Sequence, residues 1–175
     1  MDCCGEKPQE AVIAEALSVD PINAPEPQDD PERECLGCSG ASRPVTRKTM
    51  FLMVRPELFS RIGQGQYRFC SDPKCRVVYF SEDTAVTFLT EDLRVRVGLK
   101  ERVDPIPLCY CFGFDEKDAR EEIARTGAST IPKRIAALIK QKMCACPARN
   151  PSGACCLREV NEAIERLMNK TVEVD

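Results

Sequence analysis

Cysteine is the one residue type in this chain whose number and spacing could do chemistry. The 175 residues hold 12 cysteines and no histidine. Six of the cysteines fall late, in Cys109-Tyr110-Cys111, Cys144-Ala145-Cys146 and the pair Cys155-Cys156. Four more form two knuckles, Cys35-Leu36-Gly37-Cys38 and the C-x4-C of Cys70 and Cys75. The last two, Cys3-Cys4, sit in the N-terminal stretch. Met1 to Glu6 begins acidic rather than with the basic and apolar regions of a secretory signal, and no apolar run reaches membrane-spanning length. The expectation is a cytoplasmic protein without membrane insertion, where such spacings read as metal ligation rather than cross-links.

Two knuckles, each on a turn and joined by a longer excursion, are how a structural tetrahedral zinc site is built. Cys35, Cys38, Cys70 and Cys75 are the expected zinc ligands, with Gly37 allowing the first turn and Asp72-Pro73 marking the second. The later cysteines match neither the bacterial nor the plant ferredoxin run, and without histidine a Rieske centre is excluded. A [2Fe–2S] cluster in a small helical fold, or a second zinc, remains. A cysteine-nucleophile enzyme would lack a histidine base, so no catalytic residue is assigned and the protein is expected not to be an enzyme.

The elements that must position these thiols are legible as an α+β chain. Residues 1–34 carry 10 acidic against 2 basic residues and five prolines, a composition that favours a flexible acidic segment. Within it, Ala11 to Leu17 has the periodicity of two helical turns, and Cys3-Cys4 is either a soft-metal trap or two plain free thiols. Residues 35–108 read as a small zinc-ribbon-like β unit. Tyr67 to Phe69 and Val77 to Phe80 are strand-like on either side of the second knuckle, Arg55 to Gly63 reads as one or two helical turns, and Leu93, Val95 and Val97 alternate as a strand would. Residues 109–170 read as a helical unit. Asp115 caps a helix over Glu116–Arg125 that stops at Gly127, Ser129 or Thr130 caps the next, and Leu157, Val160, Ile164 and Leu167 stripe the last. The remainder beyond residue 34 holds 18 acidic against 23 basic residues, a mild excess that suits an acidic protein partner or a plain solvated surface better than nucleic acid.

Cys109-x-Cys111, a spacer of some thirty residues and a terminal cysteine before an amphipathic helix resemble the bacterioferritin-associated ferredoxin family. Taken with Cys35-x-x-Cys38, Tyr67-x-Phe69-Cys70-Ser71-x3-Cys75, Pro107-x-Cys109-Tyr110-Cys111 and Asn150-Pro151-Ser152-Gly153-x-Cys155-Cys156, the chain is similar to the N-terminal half of CopZ-type copper chaperones. That resemblance implies a zinc site and a [2Fe–2S] cluster held by Cys109, Cys111 and Cys156, with Cys146 as the fourth ligand. The spacer of the ferredoxins favours Cys144 instead, whereas counting back from the Asn150 loop favours Cys146. In the ferredoxins that this stretch resembles, the C-x-C arm gives two thiolates to one iron, leaving Cys146 and Cys156 for the other. The Met-x-Cys-x-x-Cys loop expected to carry Cu(I) in such chaperones is not found in these 175 residues.

The function so implied is one-electron transfer linked to copper or other soft-metal homeostasis, with a redox or metal-transfer protein as partner and the soft metal ion as cargo. The alternative is a cysteine-rich sensor or scavenger of copper, mercury or zinc that transfers no electron.

Overall fold

The structure is a computed structural model that describes residues 33–81 and 83–172. Cys3, Cys4 and the Ala11 to Leu17 periodicity lie outside the described residues. The fold is α+β, a small antiparallel sheet followed by helices.

Four short strands, β1 (Ser42–Val45), β2 (Tyr67–Cys70), β3 (Val77–Phe80) and β4 (Thr87–Leu89), form an antiparallel sheet in sequence order. β2 and β3 are buried along their whole length, which is why they read as aromatic and β-branched runs without alternation. Phe69 faces Tyr79 across the ladder, with ring centroids 6.1 Å apart. Between β1 and β2 runs α1 (Arg47–Met53), started by Thr46, whose hydroxyl accepts from the Thr49 amide at 3.1 Å. A 3-10 helix over Pro56–Arg61 follows, as the Arg55 to Gly63 pattern suggests.

Leu93, Val95 and Val97 do not form a strand. Leu93 makes one isolated bridge with Val54, and the Arg94 amide bonds to the Met53 carbonyl. The alternation is real but comes from burial. Leu93 and Val97 sink into the first core with Met50, Val54, Phe69 and Tyr79, while their backbone runs past the end of α1 instead of along a ladder.

The second core gathers Ala119, Ile123, Ile131, Ile135, Val160 and Ile164. These come from α2 (Glu116–Thr126), α3 (Ile131–Lys140) and α5 (Leu157–Val172). Asp115 starts α2 in a reciprocal capping box with Asp118, and Gly127 ends it in the left-handed region at φ 78°. Of the two candidate caps of α3, Ser129 takes the part and Thr130 does not. Thr130 makes no side-chain cap bond. The Ser129 hydroxyl accepts from the Ile131 amide at 3.2 Å, and the Glu122 carboxylate of α2 takes the Thr130 amide at 3.0 Å and both hydroxyls. Those bonds hold the Glu122 carboxyl below its ordinary pKa, Thr130 contributing most.

Two smaller elements complete the chain. β5 (Pro107–Cys109) and β6 (Phe114–Asp115) make a hairpin whose turn carries the C-x-C arm. α4 (Cys146–Arg149) is a single turn packed against α1.

Candidate metal centres

The first centre is assembled from two turns. In residues 35–40 the Gly37 amide donates to the Cys35 Sγ and the Gly40 amide to the Cys38 Sγ, both at 3.4 Å. In the turn leaving β2, Asp72 Oδ1 accepts from the Lys74 amide at 2.8 Å. Gly37 is required by space rather than by a left-handed backbone, since a Cβ there would lie 2.8 Å from Val77 Cγ2. The left-handed residue of this turn is Ser39, at φ 54°.

The structure brings the Sγ atoms of Cys35, Cys38, Cys70 and Cys75 within 4.8 Å of one another. Cys38 and Cys70 are 3.7 Å apart. Tetrahedral zinc with Zn–S of about 2.3 Å sets its sulfurs about 3.8 Å apart, so the donor set fits the ion. Burial pushes the Cys70 thiol up, and the neighbouring Cys35 adds to it. A buried thiolate here needs a cation beside it.

The six later cysteines lie where the hairpin meets the segment from Cys144 to Cys156. Cys109 ends β5, Cys111 sits in the turn, and Cys146 opens α4. Cys156 precedes α5 and accepts the Val160 amide at its carbonyl, 2.9 Å away. The thiols meet across the chain as well as along it. Cys111 Sγ lies 3.7 Å from Cys146 Sγ and accepts from the Ala145 amide at 3.3 Å. The neighbouring Cys156 lowers the Cys109 thiol to about 6, helped by the Phe112 and Cys111 amides, and Cys109 in turn pushes Cys156 up. Burial and the adjacent Cys111 push Cys146 up. Cys111 with Cys146, and Cys109 with Cys156, thus each bring one sulfur of the C-x-C arm beside one of the later segment. Cys144 is half-buried and Cys155 exposed.

Residues that sequence reasoning did not single out hold this assembly in place. The Tyr110 hydroxyl accepts from the Gly98 amide at 2.8 Å and donates to the Arg96 carbonyl at 3.0 Å. Gly98 passes so close to the hairpin that a Cβ would lie 1.8 Å from the Pro107 carbonyl oxygen. Lys100, in the same 3-10 turn, donates to the Asp72 and Cys75 carbonyls at 2.7 and 3.1 Å. The second zinc knuckle is therefore bonded, through Gly98–Lys100, to the C-x-C arm. On the other side, Tyr79 donates to the Pro151 carbonyl at 2.6 Å and Thr49 to the Pro147 carbonyl at 2.8 Å. Asn150 braces its own loop, donating to the Ala154 carbonyl and accepting from the Ser152 amide. Its place in Asn150-Pro151-Ser152-Gly153 was a turn signal, but its partners are not written there.

Among the described residues no helix is long and apolar enough to cross a membrane.

Comparison with known proteins bears on the first centre. A zinc binding domain of the CopZ kind matches residues 32–94. The copper chaperone CopZ of Archaeoglobus fulgidus is 38% identical over 122 residues, covering 70% of this chain and 57% of the relative. The chain thus spans a little over half the length of that relative. The X-ray structure of the Archaeoglobus fulgidus CopZ N-terminal domain is 35% identical, with a TM-score of 0.63 over 74% of this chain and 95% of that domain. With its four-cysteine cluster inside the matched segment, the chain belongs to the zinc-binding CopZ family, similar to its N-terminal domain.

Proposed function

We propose that this is a metal-handling redox protein in which Cys35, Cys38, Cys70 and Cys75 hold structural zinc and Cys109, Cys111, Cys146 and Cys156 hold a [2Fe–2S] cluster. The reading divides the chain into an acidic segment (1–34), a zinc unit (35–108) and a cluster unit (109–170). The observation that carries it is the pairing of the later thiols. Two segments far apart in sequence bring their sulfurs together, Cys111 at 3.7 Å from Cys146 and buried Cys109 beside buried Cys156, a thiolate set that suits a pair of metal ions. The likeness of 109–156 to small helical ferredoxins points the same way.

A bound [2Fe–2S] cluster supplies one-electron chemistry, at low potential when all ligands are thiolates. The protein's own groups do the rest. The Phe112 and Cys111 amides and the Ala145 amide donate to Cys109 and Cys111, stabilising negative sulfur. The buried hairpin excludes water from Cys109. By family, the electron or metal ion passed on belongs to copper or other soft-metal homeostasis, with a redox or metal-transfer protein as recipient.

Metal and sulfide analysis of anaerobically purified protein tests the reading. The expected result is one zinc, two iron and two sulfide per chain, with a reddish-brown colour and an electron paramagnetic resonance signal on one-electron reduction. Colourless protein carrying only zinc or Cu(I) would assign the chain to soft-metal scavenging instead.

A further inference from the structure

The later thiols are unequally exposed, and charge follows the exposure. Cys109 and Cys156 are 1% and 4% exposed, whereas Cys111 and Cys144 are half-buried and Ala145 and Cys155 open to solvent. Met143, beside Cys144, is 60% exposed. Electron-transfer rates fall steeply with distance, so exchange with another protein is fastest at the Cys111 edge.

One side of that edge, the segment running into Cys144 and Cys146, is basic although the molecule's net charge is −3. No Asp or Glu occurs between Gly127 and Leu157, while Lys133, Arg134, Lys140, Lys142 and Arg149 do. The C-x-C turn, 109–114, is uncharged, and α1, which packs against α4, adds Arg47 and Lys48 and no carboxylate. Arg134 lies over the Phe114 ring in a hollow that Asp118, Glu121 and Glu122 of α2 also line, so its charge is answered there and the Phe112–Phe114 side of the turn is acidic; the basic side is that of Cys144. Lys48, Lys140 and Lys142 are exposed, and Arg149 donates to the Cys111 carbonyl at 3.0 Å, fixing a cation on the arm itself.

We propose that the Cys144 side of the Cys111 edge, with exposed Met143, half-buried Cys144, the nearby cations Lys140, Lys142 and Arg149, and Lys48 on the adjoining α1, is the docking face for the acidic surface of a one-electron carrier protein. Complementary charge raises the encounter rate and orients the pair without demanding a permanent interface. A small apolar contact at Met143 with a basic rim suits a short-lived complex. One electron leaves this protein as the carrier gains it, and no atom is exchanged. The inference rests on the cluster reading above.

Two probes of opposite charge test it on the full chain. Hexacyanoferrate(III) and hexaamminecobalt(III) each accept one electron from the reduced protein, and stopped-flow absorbance follows the rate. The expected result is that added salt slows the anionic oxidant by about tenfold and speeds the cationic one. Lys48→Glu with Lys140→Glu should remove this dependence while leaving the visible spectrum unchanged; Lys142 is avoided because its backbone is left-handed, at φ 58°. Salt effects that follow the net charge of −3, or none, overturn the proposal. A second readout needs no electron: a fluorescent polyglutamate peptide should bind at low salt and be lost in the same double variant. Tighter binding of an oligonucleotide of equal charge would overturn the protein-partner assignment. If the purified protein holds no iron or sulfide, the cluster reading fails by that analysis alone, and the peptide measurement still decides whether the basic face exists.

Discussion

At the scale of single residues, the later centre depends on groups that ligate nothing. Tyr110 stands between two thiols yet spends its hydroxyl on Gly98 and Arg96, and burial pushes that phenol up to about 12. Tyr110→Phe keeps the ring and leaves the Gly98 amide and Arg96 carbonyl short of a partner, at a cost of about 1–3 kcal/mol. The expected outcome is a lower thermal midpoint and a cluster lost faster to an iron chelator, with zinc content unchanged; equal chelation rates would dismiss the role. Gly98→Ala should be worse than Tyr110→Phe, because the new Cβ would fall 1.8 Å from the Pro107 carbonyl oxygen and the backbone must move. Comparing the two midpoints by circular dichroism checks this order.

At the scale of elements, α3 owes its start to α2. The Glu122 carboxylate collects the Thr130 amide and the Ser129 and Thr130 hydroxyls, and its pKa is lowered in the fold. A lowered folded-state value means stability that is present above the unfolded carboxyl pKa and lost as pH falls through the folded one. Glu122→Gln should therefore lower the thermal midpoint at neutral pH and make little difference in acid below both values. Melting curves of the two proteins across that range should converge as pH falls; parallel curves would show that the carboxylate's charge does not matter. Glu122 was invisible as a cap because caps are sought in the residues just before a helix, and this one comes from the preceding helix.

At the scale of the whole molecule, the bonds that join residues 35–108 to 109–170 include Gly98 to Tyr110, Tyr79 to Pro151, and Thr49 to Pro147. Each such bond contributes about 0.5–1.5 kcal/mol net, and Lys100 ties the first of them to the Cys75 knuckle. Cys70→Ser should release zinc and, through these ties, speed loss of visible absorbance from the cluster unit. If bleaching in the presence of a chelator keeps the wild-type rate, the units are independent, as their separation along the sequence suggests. A chain beginning at Glu32 is expected to keep full zinc, iron and sulfide, since residues 1–34 hold too little apolar surface to build a core; metal analysis of that shortened chain decides it, and loss of either metal would bring Cys3 or Cys4 into a site.

Sequence by itself determined what local pattern determines. The two knuckles, the strands around Cys70 and Cys75, the Asp115 cap, the Gly127 stop and the stripe of α5 are each written in residues a few positions apart, so their spacing alone carries the physical signal. It also removed imidazole from the metal chemistry, because there is no histidine. The tertiary structure decided what depends on residues far apart. Leu93 to Val97 has strand periodicity but meets the end of α1 and no ladder, Glu122 caps a helix not its own, and Cys111 meets Cys146 across 35 positions of sequence. A hydrogen bond or a pair of sulfurs needs geometry within a few tenths of an ångström. That precision arises only when both cores have closed and brought distant segments together.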